Sequence, residues 1–167
     1  AFGVFVSHWL RNYIKTGRPR LILERRIGIL RQDINTLLDQ LADKQDQALL
    51  DFFHHRLDRS EEELEINAPS TIEPVLNDLN AKLTLVPLWS NLRQRIAAVE
   101  PPSDADPARK ELDAARDFLE ANKVDSDADI TAMRKRIRDA FTLIDDAIRS
   151  RVVKEVESFQ QIAASAL

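Results

Sequence analysis

The chain has 167 residues, of which 44% are hydrophobic and 31% charged, and its formal net charge is −4. This composition is long and apolar enough for one real core and excludes a chain that is disordered by composition. Cysteine is absent, which excludes disulfides, zinc–thiolate sites, iron–sulfur clusters and thiol nucleophiles.

Glycine is absent from Ile29 to Leu167. Tight hairpin turns, bulges and phosphate-binding loops depend on glycine, because only glycine reaches positive φ without strain. The pattern therefore predicts an all-α fold. Since most catalytic residues lie on irregular loops, a chain with so few loops favours a protein that is not an enzyme and that needs no cofactor.

The first ten residues, AFGVFVSHWL, are strongly apolar. Two interpretations stay open: this stretch is the end of a membrane segment, or it is a short amphipathic helix that folds onto the rest of the chain. The start at Ala1 rather than at methionine favours a piece of a longer protein. We expect a single helical domain over 1–167, with 1–18 as a membrane-proximal or capping helix and 19–167 as a bundle.

Apolar spacing and breaks at proline and polar residues predict five helices, over 3–15, 19–66, 71–100, 104–122 and 127–165. Three serines are each followed three residues later by an acid. This spacing predicts helix N-caps at Ser70, Ser103 and Ser126. Pro87 lies inside the third helix, where it removes a backbone hydrogen bond, so we expect a kink there.

The second predicted helix carries apolar residues in alternating steps of four and three, the spacing of a coiled-coil seam. These residues are Leu23, Ile27, Leu30, Ile34, Leu37 and Leu41. The seam is interrupted by the polar stretch 43–47, which we interpret as a stutter within one long helix. Short connections between helices then predict an elongated antiparallel bundle or coiled-coil rod, with both chain ends at the same tip.

Charge is distributed unevenly along this predicted rod. Residues 1–31 contain seven basic residues and one acidic residue, whereas residues 32–67 contain three basic and ten acidic residues. The basic cluster consists of Arg11, Lys15, Arg18, Arg20, Arg25, Arg26 and Arg31. Next to an apolar decapeptide, such a cluster is typical of contact with an anionic membrane or partner surface. The alternative is that these residues form an ordinary solvated helix face.

Two other partner classes are weaker candidates. The acidic isoelectric point, about 5.4, argues against nucleic acid. The stretch Asp51, His54, His55 and Asp58 places imidazole and carboxylate groups one helical turn apart, a spacing that suits a metal. A metal site in a bundle needs inward ligands from facing helices, usually Glu-x-x-His, which this stretch lacks. We therefore expect no metal there.

The sequence supports three functional hypotheses. The first is a non-enzymatic helical interaction or scaffold module, the cytoplasmic part of a membrane-associated protein, which holds a protein partner or transmits a conformational change. The second is an extracytoplasmic four-helix sensor bundle, periplasmic or extracellular, that binds a small ligand. The third is a helical enzyme or metal carrier that uses His54 and His55. An exposed Leu38, Leu50 or Leu143 beside the seam would also favour a homo-oligomer.

Overall fold

The computed structural model describes residues 17–41 and 43–165, and within these ranges it contains helices and no strand. The all-α prediction is confirmed. The elements are α1 (Arg18–Gln40), α2 (Lys44–Ile66), α3 (Pro69–Leu83), α4 (Val86–Ala97), a 3-10 helix (Pro102–Ala105), α5 (Asp106–Glu120) and α6 (Asp127–Ser165). The predicted helix 3–15 lies outside the described residues.

The predicted helix 19–66 is wrong, because two helices occupy this range. Helix α1 ends at Gln40, and Leu41 is extended. Asp43 is the N-cap of α2, and its side chain accepts a hydrogen bond from the Gln45 amide at 2.8 Å. The polar stretch 43–47 is therefore a helix start and not a stutter. The physical reason is that two apolar stripes bury each other when the chain folds back, whereas one long helix leaves them exposed.

The predicted helix 71–100 is also divided into two, at the place where Pro87 predicts an interruption. Helix α3 ends at Leu83 and α4 begins at Val86, while Thr84 and Leu85 keep near-helical dihedrals. Pro87 has no amide hydrogen and cannot donate to the Leu83 carbonyl. The predicted kink is thus a helix end. The last two predicted helices, 104–122 and 127–165, correspond to α5 and α6 within two residues at each end.

Two of the three predicted serine caps are wrong. Helix α3 begins at Pro69, so its N-cap is Ala68 and Ser70 lies in the first turn. Ser103 lies in the 3-10 helix, and the N-cap of α5 is Ala105. Ser126 directly precedes the first residue of α6, as predicted. Proline at the first turn pre-sets the helical φ, so α3 begins at Pro69, two residues earlier than a cap at Ser70 would start it.

The chain divides into two compact units. Unit 1 contains the described residues up to Thr84 together with Asn122–Asp127, and unit 2 contains Leu85–Ala121 and the described residues from Ala128 onward. The predictions of a single domain, of a rod and of neighbouring chain ends stay predictions.

In unit 1, helices α1, α2 and α3 all pack against one another. Asn35 contacts His54 at 3.1 Å, and Arg31 contacts Asp58 at 2.8 Å. The residue numbers in these contacts decrease along α1 while they increase along α2. The two helices are therefore antiparallel. Their buried residues include the predicted stripe members Leu23, Ile27, Leu30 and Ile34 and the α2 residues Leu49, Leu50, Phe53, Leu57 and Leu64. The expectation that Leu50 is exposed is therefore wrong, because the packing of α2 in unit 1 covers this side chain completely.

In unit 2, Trp89 on α4 is the largest buried side chain, with 2% exposure. Its indole nitrogen donates to the Leu112 carbonyl on α5 at 3.3 Å, and the Arg93 guanidinium lies 5.8 Å from the ring centroid. Helix α6 contributes buried side chains from Ile130 to Ile144. Beyond Ile144 the side chains of α6 are half-buried or exposed.

Candidate interaction surfaces

Five of the seven predicted basic residues lie on α1, whereas Arg11 and Lys15 lie outside the described residues. Arg31 joins α1 to α2, because its Nη2 donates to Asp58 Oδ1 at 2.8 Å and to Glu61 Oε2 at 2.7 Å. These hydrogen bonds raise the pKa of Arg31 above its ordinary value, and the bond with Glu61 has the largest effect. The guanidinium therefore has an intramolecular role that the sequence did not indicate.

Arg26 joins α1 to α3 in a similar way. Its Nη2 donates to Asn77 Oδ1 at 2.6 Å, and its Nη1 lies 3.9 Å from Glu73 Oε1. Arg20 forms an ion pair within α1, with Glu24 one turn later at 3.0 Å. Three arginines of the predicted cluster are thus engaged with side chains of unit 1.

The remaining two arginines, Arg18 and Arg25, are exposed and form no ion pair with another described residue. They alternate along α1 with Ile22 and Ile29, which are 58% and 51% exposed, in steps of four, three and four. This spacing places all four on one helix face, and Leu21, 54% exposed, lies beside them. We call these five residues the α1 outer face; it lies opposite the buried stripe of α1.

The side chains of Asp51, His54, His55 and Asp58 do not converge on one site. His54 Nε2 lies 3.1 Å from Asn35 Oδ1 on α1, whereas His55 and Asp51 are exposed. Asp58 is the ion-pair partner of Arg31. In residues 17–41 and 43–165, no group of three histidine or acidic side chains is arranged to hold a metal.

A buried ionic cluster lies in unit 1, and sequence reasoning missed it. Its members are Arg56 on α2, Asp78 and Lys82 on α3, and Asp125 in the connection between α5 and α6. Their side chains are 7%, 0%, 0% and 2% exposed, respectively. Asp78 Oδ2 lies 3.0 Å from Arg56 Nη2 and 3.2 Å from Lys82 Nζ, and Lys82 Nζ lies 2.7 Å from Asp125 Oδ2. These four buried side chains carry two positive and two negative charges, and Lys123, which is exposed, also contacts Asp125, with its Nζ 3.0 Å from Asp125 Oδ1.

The same cluster fixes the backbone of the connecting segment 122–127. Lys82 Nζ and Arg56 Nη2 both donate to the Lys123 carbonyl, at 3.1 and 3.2 Å. The Asp125 amide donates to Asp78 Oδ1 at 3.0 Å. The cluster therefore holds this segment against α2 and α3 through main-chain as well as side-chain contacts.

The pKa of Asp125 follows from these contacts. Burial by itself raises the pKa of this carboxyl group, but hydrogen bonds from Lys82 and Lys123 and their charges lower it. The second effect is larger, so the pKa of Asp125 lies below its ordinary value. The carboxylate is thus charged at neutral pH and attracts both lysines.

The only sequence signal for this cluster is the pair Asp78 and Lys82, one turn apart on α3 among the apolar residues Ile72, Leu76, Leu79 and Leu83. Such a pair is usually a solvated surface ion pair. Arg56 and Asp125 lie far from it in sequence, so spacing does not connect them.

A second exposed apolar surface lies on α6 and also was not predicted as a site. We call it the α6 tail patch; it consists of Val152, Val153, Val156, Phe159 and Ile162, which are 45%, 50%, 49%, 70% and 61% exposed. Beside it, Arg151 anchors α6 to the connection before α5, with its Nε 2.8 Å from Asp104 Oδ2 and its Nη2 donating to the Glu100 carbonyl at 3.2 Å.

None of the helices in the described part of the chain combines the length and the apolar character needed to cross a membrane. Comparison of the chain with protein-family models, with curated proteins and with solved structures gave no significant match.

Proposed function

We propose that this chain is a non-enzymatic helical interaction module of a membrane-associated protein, and that its α1 outer face docks on an anionic membrane surface. One observation carries the proposal: two arginines with no described ion-pair partner share a helix face with three apolar side chains that are more than half exposed. Amphipathic faces of this composition bind at the boundary between headgroups and acyl chains, with cations near the phosphates and apolar groups inserted.

The remaining contacts of α1 support this role. The opposite face of the helix is buried against α2 and α3, and Arg26 and Arg31 fix it to both neighbours. The outer face is thus presented by a helix whose orientation within unit 1 is already set, so docking requires little further ordering. Each arginine near an anionic surface contributes about 1 kcal/mol. This face alone therefore supports weak, reversible binding.

We also propose that the module transmits a conformational change, and the buried ionic cluster supports this. Arg56 belongs to α2, Asp78 and Lys82 belong to α3, and all three hold the segment 122–127, which leads directly into α6. A shift of α2 along α3 separates the charges that hold this segment. A disturbance of the packing between α2 and α3 therefore loosens the segment 122–127, which ends at the first residue of α6.

Co-sedimentation with vesicles tests the docking. We compare vesicles of phosphatidylcholine alone with vesicles that also contain phosphatidylserine, using the intact chain and the double variant Arg18→Gln/Arg25→Gln. The control Lys135→Gln/Arg138→Gln removes the same charge from exposed positions of α6. Circular dichroism verifies that each variant is helical.

We expect binding to the phosphatidylserine vesicles alone. We expect it to weaken about 30-fold in the α1 variant, because two lost contacts of about 1 kcal/mol each correspond to that factor. The α6 control should bind like the intact chain. Equal binding by the α1 variant, or no binding to either vesicle, contradicts the proposal.

The ligand-binding sensor bundle stays a prediction from the sequence. The buried polar groups around Trp89 are satisfied within unit 2: its indole donates to a backbone carbonyl, and Gln94 donates to Ser90 at 3.5 Å. No specific observation favours a small ligand between the helices.

A further inference from the structure

The α6 tail patch does not continue the core of unit 2. Positions seven residues apart keep the same direction along a coiled-coil helix, and the buried Ile137 and Ile144 are followed at this interval by Arg151 and Ser158, which are half-buried and exposed. The face that points into unit 2 thus becomes polar. The exposed apolar residues instead follow steps of four and three at Val152, Val156 and Phe159, on a neighbouring face of the helix.

We propose that the α6 tail patch is a homodimer surface, in which α6 pairs with α6 of a second copy of this chain in antiparallel orientation. Steps of four and three are the spacing of a two-stranded seam, and a helix of the same kind is its natural cover. A two-fold pairing also places the same patch on both copies, so that no additional surface is required.

The residue pattern favours one antiparallel register, in which the two-fold axis crosses the helix pair at the level of Lys154. In this register Val152 packs against Val156 of the second copy, and Phe159 lies opposite Arg149 of the second copy. The cation–π interaction between a guanidinium group and an aromatic ring is attractive. The chain makes a contact of the same kind inside unit 2, between Arg93 and Trp89. A parallel in-register pair instead places Arg149 against Arg149, which is repulsive.

The flanking positions agree with the same register. At the axis, Val153 meets Val153 of the second copy, and further out Ile162 meets Ile148 of the second copy. The two Glu155 side chains approach each other, but each is already paired with Arg151 of its own chain, whose Nη1 lies 2.9 Å from Glu155 Oε1. The exposed members of the patch are therefore all covered, and the one like-charge approach is neutralised.

The available area sets the expected strength. The five side chains of the patch are 45–70% exposed, so they offer on the order of 450 Å² of apolar surface per copy if a whole side chain offers about 150 to 200 Å². A standard stable interface buries about 800 Å² per partner. We therefore expect a weak dimer, with a dissociation constant between about 10 µM and 1 mM.

Sedimentation equilibrium of the intact chain at concentrations spanning this range tests the association. The weight-average mass should rise from 19.1 kDa toward twice that value as concentration increases. Val156→Lys should remain monomeric, because it places a charge in the centre of the seam. Ile66→Lys, a matched change at an 85% exposed residue of unit 1, should associate like the intact chain.

Disulfide trapping tests the orientation, since the chain has no cysteine of its own. Under mild oxidation Val153→Cys should form a covalent dimer, because the two copies of this residue meet at the axis. Phe159→Cys should not, because antiparallel pairing separates its two copies by about 15 Å at 1.5 Å rise per residue. A mass that stays at the monomer value, association that survives Val156→Lys, or preferential cross-linking of Phe159→Cys overturns the proposal.

Discussion

Removing one charge from the buried ionic cluster should destabilise the protein strongly. In Asp78→Asn, the carboxylate that lies 3.0 Å from Arg56 Nη2 and 3.2 Å from Lys82 Nζ becomes neutral, whereas both cations stay buried. Lys82 keeps Asp125 as an anionic partner, whereas Arg56 loses the carboxylate of its ion pair. Breaking a buried pair by removing one partner costs about 3–5 kcal/mol, a large part of the roughly 5–15 kcal/mol that stabilises a typical domain.

Urea unfolding followed by circular dichroism at 222 nm measures this loss as a change in the free energy of unfolding. The control is Asp58→Asn, which removes an acid from the half-exposed ion pair with Arg31 and should cost at most about 1 kcal/mol. The change in Asp78→Asn should exceed that of the control by about 2–4 kcal/mol.

The double variant Asp78→Leu/Lys82→Met extends the same test. It removes one anion and one cation that contact each other, so its loss should be smaller than the sum of the losses measured for Asp78→Leu and Lys82→Met separately. If Asp78→Asn costs no more than Asp58→Asn, or if the two single losses simply add, the reasoning about the buried cluster is wrong.

Two further predictions concern unit 1. Gly28→Ala should raise the free energy of unfolding by about 0.5–1 kcal/mol, because glycine is a poor helix former and a Cβ built at this α1 position meets nothing within 4 Å; urea unfolding checks it, and a loss of stability contradicts it. The lowered pKa of Asp125 stabilises the fold at pH values above its unfolded pKa of about 3.9, and this contribution is lost as pH falls through the folded pKa. Unfolding free energies between pH 7 and pH 2.5 should therefore fall less steeply for Asp125→Asn than for the unchanged chain, and parallel profiles refute the assignment.

The apolar spacing determined where most helices lie, because burial of one face is a local property of the sequence. Helix α6 begins at Asp127 as predicted, and its residues from Ile130 to Ile144 are buried as a stripe of helical period. Pro87 likewise predicted an interruption of the helix, because proline has no amide hydrogen to donate to the carbonyl group four residues earlier. These features depend on contacts within one or two helical turns.

The division at Leu41–Asp43 was not predicted, because a polar stretch with no glycine or proline is compatible with a continued helix as well as with a new helix start. Tertiary packing decided between them: the stripe with Leu23 and Ile27 and the stripe with Leu49 and Phe53 are both buried when the chain folds back. Similarly, Arg26 and Arg31 looked like members of a uniform basic face, but their acceptors lie on α3 and α2.

The sequence by itself determined that this protein is helical, because its composition, its lack of glycine after Gly28 and its apolar spacing all act locally. Only the tertiary structure decided which charges are buried and which apolar residues stay exposed. From the sequence, Asp78 and Lys82 resemble a surface ion pair. In the structure they are buried together with Arg56 and Asp125, which lie far from them in the sequence. Val156 and Phe159 have the helical spacing of core residues, but their side chains are 49% and 70% exposed. The burial of a side chain depends on contacts with residues that are distant in sequence, and local spacing does not predict those contacts.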